Sequence, residues 1–309
     1  MSLLVHLQDK IRTTGAAISR LESQLTLHPE SIGLSANILS MKKLHLNLEA
    51  DFAKAADALG LDVVHYRILE GNPTAKSLSN SVGTFQEALT VAYDALRNGP
   101  KSRRSPSPMV RAETELRVAY SYPGSFGMVF TVPNERFLIP EMQSYFDRAA
   151  EIIVRIGKAE SHKEIITEAE ASVGHATLTA VYDWAKANAQ GRIGTAIEWR
   201  RGEQERGQAL IQSPEFEALA ESLERISTRT DETKIILATL VGADVKSLRF
   251  HLVTEGDEDI RGKFSDAISE SQTADLPGKY RAILRKSTEV TYATDEEKVS
   301  YFLEKLEQL

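Results

Sequence analysis

Two stretches near the start of the chain, residues 3–26 and 34–59, repeat apolar side chains at alternating steps of three and four, the spacing of a coiled-coil seam. The first stripe is Leu4, Leu7, Ile11, Thr14, Ile18, Leu21 and Leu25; the second is Leu34, Ile38, Met41, His45, Leu48, Phe52, Ala55 and Leu59. Between them His28-Pro29-Glu30-Ser31-Ile32-Gly33 carries the breakers that a helix-to-helix turn needs. One antiparallel register then sets Leu4 against Ala55, Leu7 against Phe52, Ile11 against Leu48 and Leu25 against Leu34. It also sets Thr14 against His45, which reads as a structural polar layer fixing the alignment of the seam. Leu3, Val5, Leu44 and Leu46 lie off the stripe and predict a second buried face. Residues 1–60 are therefore read as a helical hairpin suited to contact with another protein surface.

After residue 60 the period changes. Leu61–Leu69 is β-branched and aromatic, a strand pattern, and is followed by a helical face over about 76–98 that stops at Asn98-Gly99-Pro100. Residues 116–122 and 126–132 alternate as a β-hairpin turning at Pro123-Gly124-Ser125. Helical spacing then covers 138–158 and 162–189, a short strand pattern covers 192–199, and two helices are read near 200–211 and 214–229. Residues 61–230 thus predict a central α+β domain, a mostly antiparallel sheet covered on one side by helices.

From residue 231 to 309 the chain reads as short strands: 233–242, 247–254, 258–264, 279–290 and 299–306, with a short amphipathic piece at Ser265–Glu270. That order suits a small β-barrel, either OB-like or SH3-like. The last strand competes with a capping box at Thr294-Asp295-Glu296-Glu297 and helical spacing beyond it, and a strand is favoured.

The chemistry is narrowed by what is missing. The 309 residues contain no cysteine, which excludes disulfides, thiolate nucleophiles and sulfur-ligated metals. None of the 7 histidines stands in an HxH or HExxH spacing, so no metal site is expected. No P-loop or G-x-G-x-x-G follows a strand, and no cofactor is expected. The start of the chain lacks a basic region before an apolar core, and no run approaches the ~18 apolar residues of a membrane span. A cytoplasmic chain without a membrane partner follows from that reading.

The net charge is −7, which disfavours polyanion binding by the molecule as a whole. One segment runs the other way: Arg97, Lys101, Arg103, Arg104 and Arg111 have no acid between them and alternate with Ser-Pro pairs, as a loop gripping phosphates would. His65 is read as a partly exposed histidine on the sheet face, with Glu113 and Glu115 as conceivable acid–base partners. His251 is turned outward between Phe250 and Leu252. Arg200, Arg201 and Arg206 are read as a helix face neutralised by Glu198, Glu203 and Glu205, and Asp257-Glu258-Asp259 as a solvated turn. No catalytic residue can be named. The leading functional reading is a non-enzymatic interaction or scaffold protein, a homo-oligomer or a binder of another protein through its hairpin. The alternative is a nucleic-acid-binding accessory protein using residues 97–111 and the C-terminal barrel.

Overall fold

The computed structural model describes residues 2–69, 73–122, 126–134, 143–158, 162–225, 227–264, 274–291 and 297–308, in two compact units, Met1–Leu223 and Glu224–Leu309. The architecture is mixed α+β, as the periodicities predict. Helix α1 spans Ser2–Leu27 and α2 spans Ile32–Ala58, the second capped by Ser31, whose side chain accepts from the Leu34 amide. Apart from Leu59, which lies beyond the end of α2, every stripe position is buried or half-buried.

The first unit continues with strands β1 (Leu61–Ile68), β2 (Arg117–Ser121), β3 (Gly127–Pro133), β4 (Thr195–Arg201) and β5 (Gln204–Ile211). Its helices are α3 (Ala75–Asn98), α4 (Pro108–Glu113), α5 (Tyr145–Gly157), α6 (His162–Gly191) and α7 (Ser213–Arg225). The sheet order is β2-β3-β1-β4-β5, antiparallel throughout. Alternation along β1 divides the core. Tyr66 faces the helices, where its hydroxyl bonds Ser81 at 2.7 Å and accepts from the Trp184 indole at 3.2 Å beside Phe85. Val63 faces the other way and joins Leu7, Ile11, Leu48, Phe52, Tyr120 and Val129 in one apolar cluster. The base of the hairpin therefore packs on the second sheet face, so helices cover the sheet on both sides and not on one as its sequence pattern predicts, and the hairpin belongs to the first unit.

Three local readings are corrected. Residues 204–211 form a strand and not a helix: Gly202, at φ 57°, turns the chain back, and Gly207 passes so close under the Trp199 ring that a Cβ there would clash. Arg201 and Arg206 accordingly lie on strands and not on a helix face. Arg201 grips Asp62 with two bonds of 2.9 and 2.8 Å, and Arg206 reaches Asp147 at 3.1 Å, a buried network tying β1, β4, β5 and α5. Finally, Leu3, Val5, Leu44 and Leu46 are 46–64% exposed, so their second face is not buried within the chain. The turn at 123–125, the piece at 265–270 and residues 294–296 lie outside the described residues.

The second unit is a closed barrel of β6 (Ser227–Asp244), β7 (Arg249–Thr254), β8 (Asp259–Phe264), β9 (Gly278–Thr291) and β10 (Glu297–Gln308). The final segment is the favoured strand, paired along β9. Around the barrel the order is β6-β7-β8-β10-β9, with β8 and β10 the only parallel pair among those described. Leu240, Phe250, Leu252, Ile260, Phe264, Ala282, Leu284 and Leu303 fill the interior. A Cβ on Gly262 would strike the Tyr301 carbonyl oxygen and the Phe250 ring, so glycine is what lets β8 approach β10. Gly262→Ala is expected to destabilise the barrel by about 1–3 kcal/mol, read as a lowered urea midpoint for the second unit.

Candidate functional site

Because the barrel is closed, each strand has only an inside and an outside, and filling the inside fixes what stands on the outer wall. The register joins Asp244 to Arg249, Arg249 to Lys263, Lys263 to Phe302, and Phe302 to Arg285, one row crossing all five strands. One step along, His251 is paired with Arg261 and Ser300 with Ser287. These two rows line an open groove of about 1000 Å³, to which Lys298 is added.

The few acids near the groove are already engaged. Asp244 accepts from the Ser247 hydroxyl at 2.6 Å and from the Lys246 and Ser247 amides, and these bonds hold its carboxyl below the usual range. Asp259 is likewise lowered, chiefly by its 2.8 Å bond with His251, and lies 3.6 Å from Arg261. Arg285 is 3.6 Å from Glu304 while its guanidinium lies 5.3 Å from the Phe302 ring centre, a cation–π contact. Arg249 and Lys263 are exposed and make no ion pair with a described residue. His251 is turned outward as alternation predicts.

The basic segment 97–111 has a different environment. Arg97 meets Glu113, Lys101 meets Asp94, Arg104 meets Asp183 at 2.6 Å, and Arg111 meets Glu87 at 3.0 Å. Among the described residues Arg103 alone of the five lacks a carboxylate partner. The backbone is pinned as well: Gly174, at φ 77°, kinks α6 against Lys101, and the Ala176 amide donates to the Lys101 carbonyl at 3.0 Å. The acids come from α3, α4 and α6, which is why the local sequence conceals them.

His65 is 5% exposed and not partly open, and its cross-strand neighbours are Val129 and Glu198. Glu113 and Glu115 are instead occupied by Arg97 and Arg117. The groups that act on His65 are Arg67 on its own strand, Arg200 of β4, and Tyr122 just past the end of β2, the last two hidden by sequence distance; Glu49 of α2 adjoins Arg67 and Tyr122. Tyr122 bonds His65 Nδ1 and also accepts from Arg67 Nη2 at 3.3 Å. Thr14 is buried; His45 is nearly so, with Nε2 3.6 Å from Glu49 and Nδ1 without a partner.

No protein-family model, curated protein or solved structure matches this chain. The geometry alone must carry the functional reading. Among the described residues no cluster of three or more His or carboxylate side chains is arranged to hold a metal, and no helix is long and apolar enough to cross a membrane.

Burial foremost, with Arg67 and Arg200 adding to it, pushes His65 down to about 3, whereas burial pushes Glu49 up. Between pH 6.5 and about 3 the unfolded chain takes up a proton at His65 that the folded chain refuses, so this residue's share of stability is lost as pH falls. Glu49 runs oppositely, because its folded form keeps a proton above 4.5 and loses stability as pH rises from there. The tryptophans, Trp184 and Trp199, both lie in the first unit and report its unfolding. His65→Gln is expected to remove about 2 kcal/mol of the stability lost between pH 6.5 and 5, measured by urea titration of that fluorescence.

Proposed function

We propose that the outer wall of the C-terminal barrel binds single-stranded nucleic acid, gripping phosphates with Arg249, Lys263 and Lys298 and stacking a base on Phe302. The observation that carries the reading is the row Arg249–Lys263–Phe302–Arg285 across four adjacent strands. A cationic groove with an aromatic platform is the combination that single-strand binders use, since phosphates supply affinity and every base has a face to stack. The barrel order adds support. Counting its strands one to five, the circuit 1-2-3-5-4 with a parallel 3–5 pair suits an OB-like barrel rather than an SH3-like one. In OB-folds the strand 2–3 face and the adjoining loops take oligonucleotides. The groove has its own local sign despite the net charge of −7.

The segment 97–111 carries no part of this reading, four of its five cations being spent on carboxylates. Fluorescence anisotropy with a labelled single-stranded oligonucleotide tests the proposal. About three phosphate contacts should give a log–log salt slope near −2, and Arg249→Ala with Lys263→Ala should flatten it by about one unit or more. Phe302→Ala should weaken binding by about 1–3 kcal/mol with little change in slope. Absence of binding at low salt would sink the reading.

The hairpin supports a second reading, a scaffold that self-associates, because Leu3, Val5, Leu44 and Leu46 form exposed apolar surface beside the seam. Light scattering on a sizing column should then give a defined oligomer that reverts to monomer in Leu44→Glu/Leu46→Glu. A monomer at high concentration would dispose of it.

A further inference from the structure

A second cavity, of about 320 Å³, opens on the sheet of the first unit and is lined by His65, Arg67, Glu198, Gln208 and Leu210 together with Lys158. It occupies the part of the hairpin-side face that the hairpin base leaves uncovered, and its size falls at the lower end of small-molecule sites. Arg67 can only donate, so the Tyr122 oxygen accepts from it, and the single Tyr122 proton has His65 Nδ1 and Glu49 as its two acceptors. We assign it to His65 Nδ1, because Glu49 Oε1 makes no hydrogen bond. The imidazole proton then resides on Nε2, which has no hydrogen-bond partner among the described residues and belongs to a cavity-lining side chain that is 5% exposed.

The charges around this nitrogen are unbalanced. Arg67 is held over the Tyr122 ring at 4.8 Å and Lys158 lies on the cavity wall. Glu198 is the acid on the wall, and its carboxylate is 3.2 Å from Arg200 on the same strand. Glu49 of α2 also faces Arg67, its carboxyl raised by burial and held down by His45, Arg67 and Tyr122, and Tyr120 keeps its proton. A ring N–H, the Arg67 guanidinium and the Lys158 ammonium thus line one cavity, against Glu198, which is paired to Arg200, and Glu49, which faces Arg67.

We propose that this cavity binds the oxyanion group of a small carboxylate or phosphate ester, with His65 Nε2–H and Arg67 as its donors, Gln208 as a third polar contact, and Leu210 beside the rest of the molecule. A fork of N–H donors beside a neutral imidazole donor suits a planar or tetrahedral oxyanion. The site lies within residues 1–223 and does not depend on the nucleic-acid reading of the barrel.

Ring-nitrogen NMR of the full chain, with His65 assigned through His65→Gln, tests it against inorganic phosphate and acetate as separate probes. A saturable shift of the Nε2 signal with Kd on the order of 1 mM is expected for at least one probe. Response to phosphate alone assigns the phosphate-ester class, and response to acetate the carboxylate class. Arg67→Gln should weaken binding about tenfold or more. Gln208→Leu, at an exposed position that leaves the His65–Tyr122 pair intact, should weaken it several-fold. A shift that stays linear for both probes, or an affinity unchanged in both variants, would overturn the proposal. Arg67→Gln and Gln208→Leu leave the barrel residues unchanged, so loss of the His65 response in them is separate from the nucleic-acid reading.

Discussion

Closure of the C-terminal barrel is the constraint on which its surface chemistry depends. A sheet with no free edge has only an interior and an exterior, and burial of Phe250, Leu252, Ile260, Phe264 and Leu303 fixes the phase of three neighbouring strands at once. Every residue one step out of phase is then presented outward in a fixed row. Gly262 is part of the same constraint, since the parallel contact of β8 with β10 brings Phe302 beside Lys263. The groove is a consequence of packing on the opposite side of the wall.

Charge clustering in sequence and in space prove to be different things in this protein. The densest basic run, 97–111, is spent on ion pairs with Asp94, Glu113, Asp183 and Glu87, and the kink at Gly174 holds its backbone. The barrel segment is acidic when counted residue by residue, yet one wall of it is cationic because Asp244 and Asp259 are drawn into a turn and a histidine pair. Ion pairs at partly exposed sites contribute little to stability but do remove charge from the surface that an anion would meet.

In the first unit the hairpin and the sheet share a core, with the Phe52 ring edge-on to Tyr120 at 5.3 Å. That docking buries polar groups beside the apolar ones. His65 lies on the same face as Val63, so the pairing that seals the core also seals the imidazole and depresses its basicity. A histidine so weakly basic is a poor proton shuttle near neutrality and a good fixed donor. Its Nε2 has no hydrogen-bond partner among the described residues, and its side chain lines a cavity together with Arg67.

The sequence by itself determined the elements whose period is unambiguous. The helical hairpin with its buried stripes from Leu4 to Leu25 and from Leu34 to Ala55, the barrel strands, the β-hairpin around residues 117–133 and the outward turn of His251 were all legible. These follow from burial repeating every 3.6 or 2 residues, a property local to each segment. Residues 204–211 were misread because eight residues with Ala209 and Ile211 buried fit either period, and only pairing with β4 decides. The partners of Arg97, Lys101, Arg201 and His65, and the row from Arg249 to Arg285, were decided by the tertiary structure alone. Cross-strand register and helix packing bring together residues up to 139 positions apart, as in Arg201 and Asp62, and no local pattern encodes which distant charge will arrive.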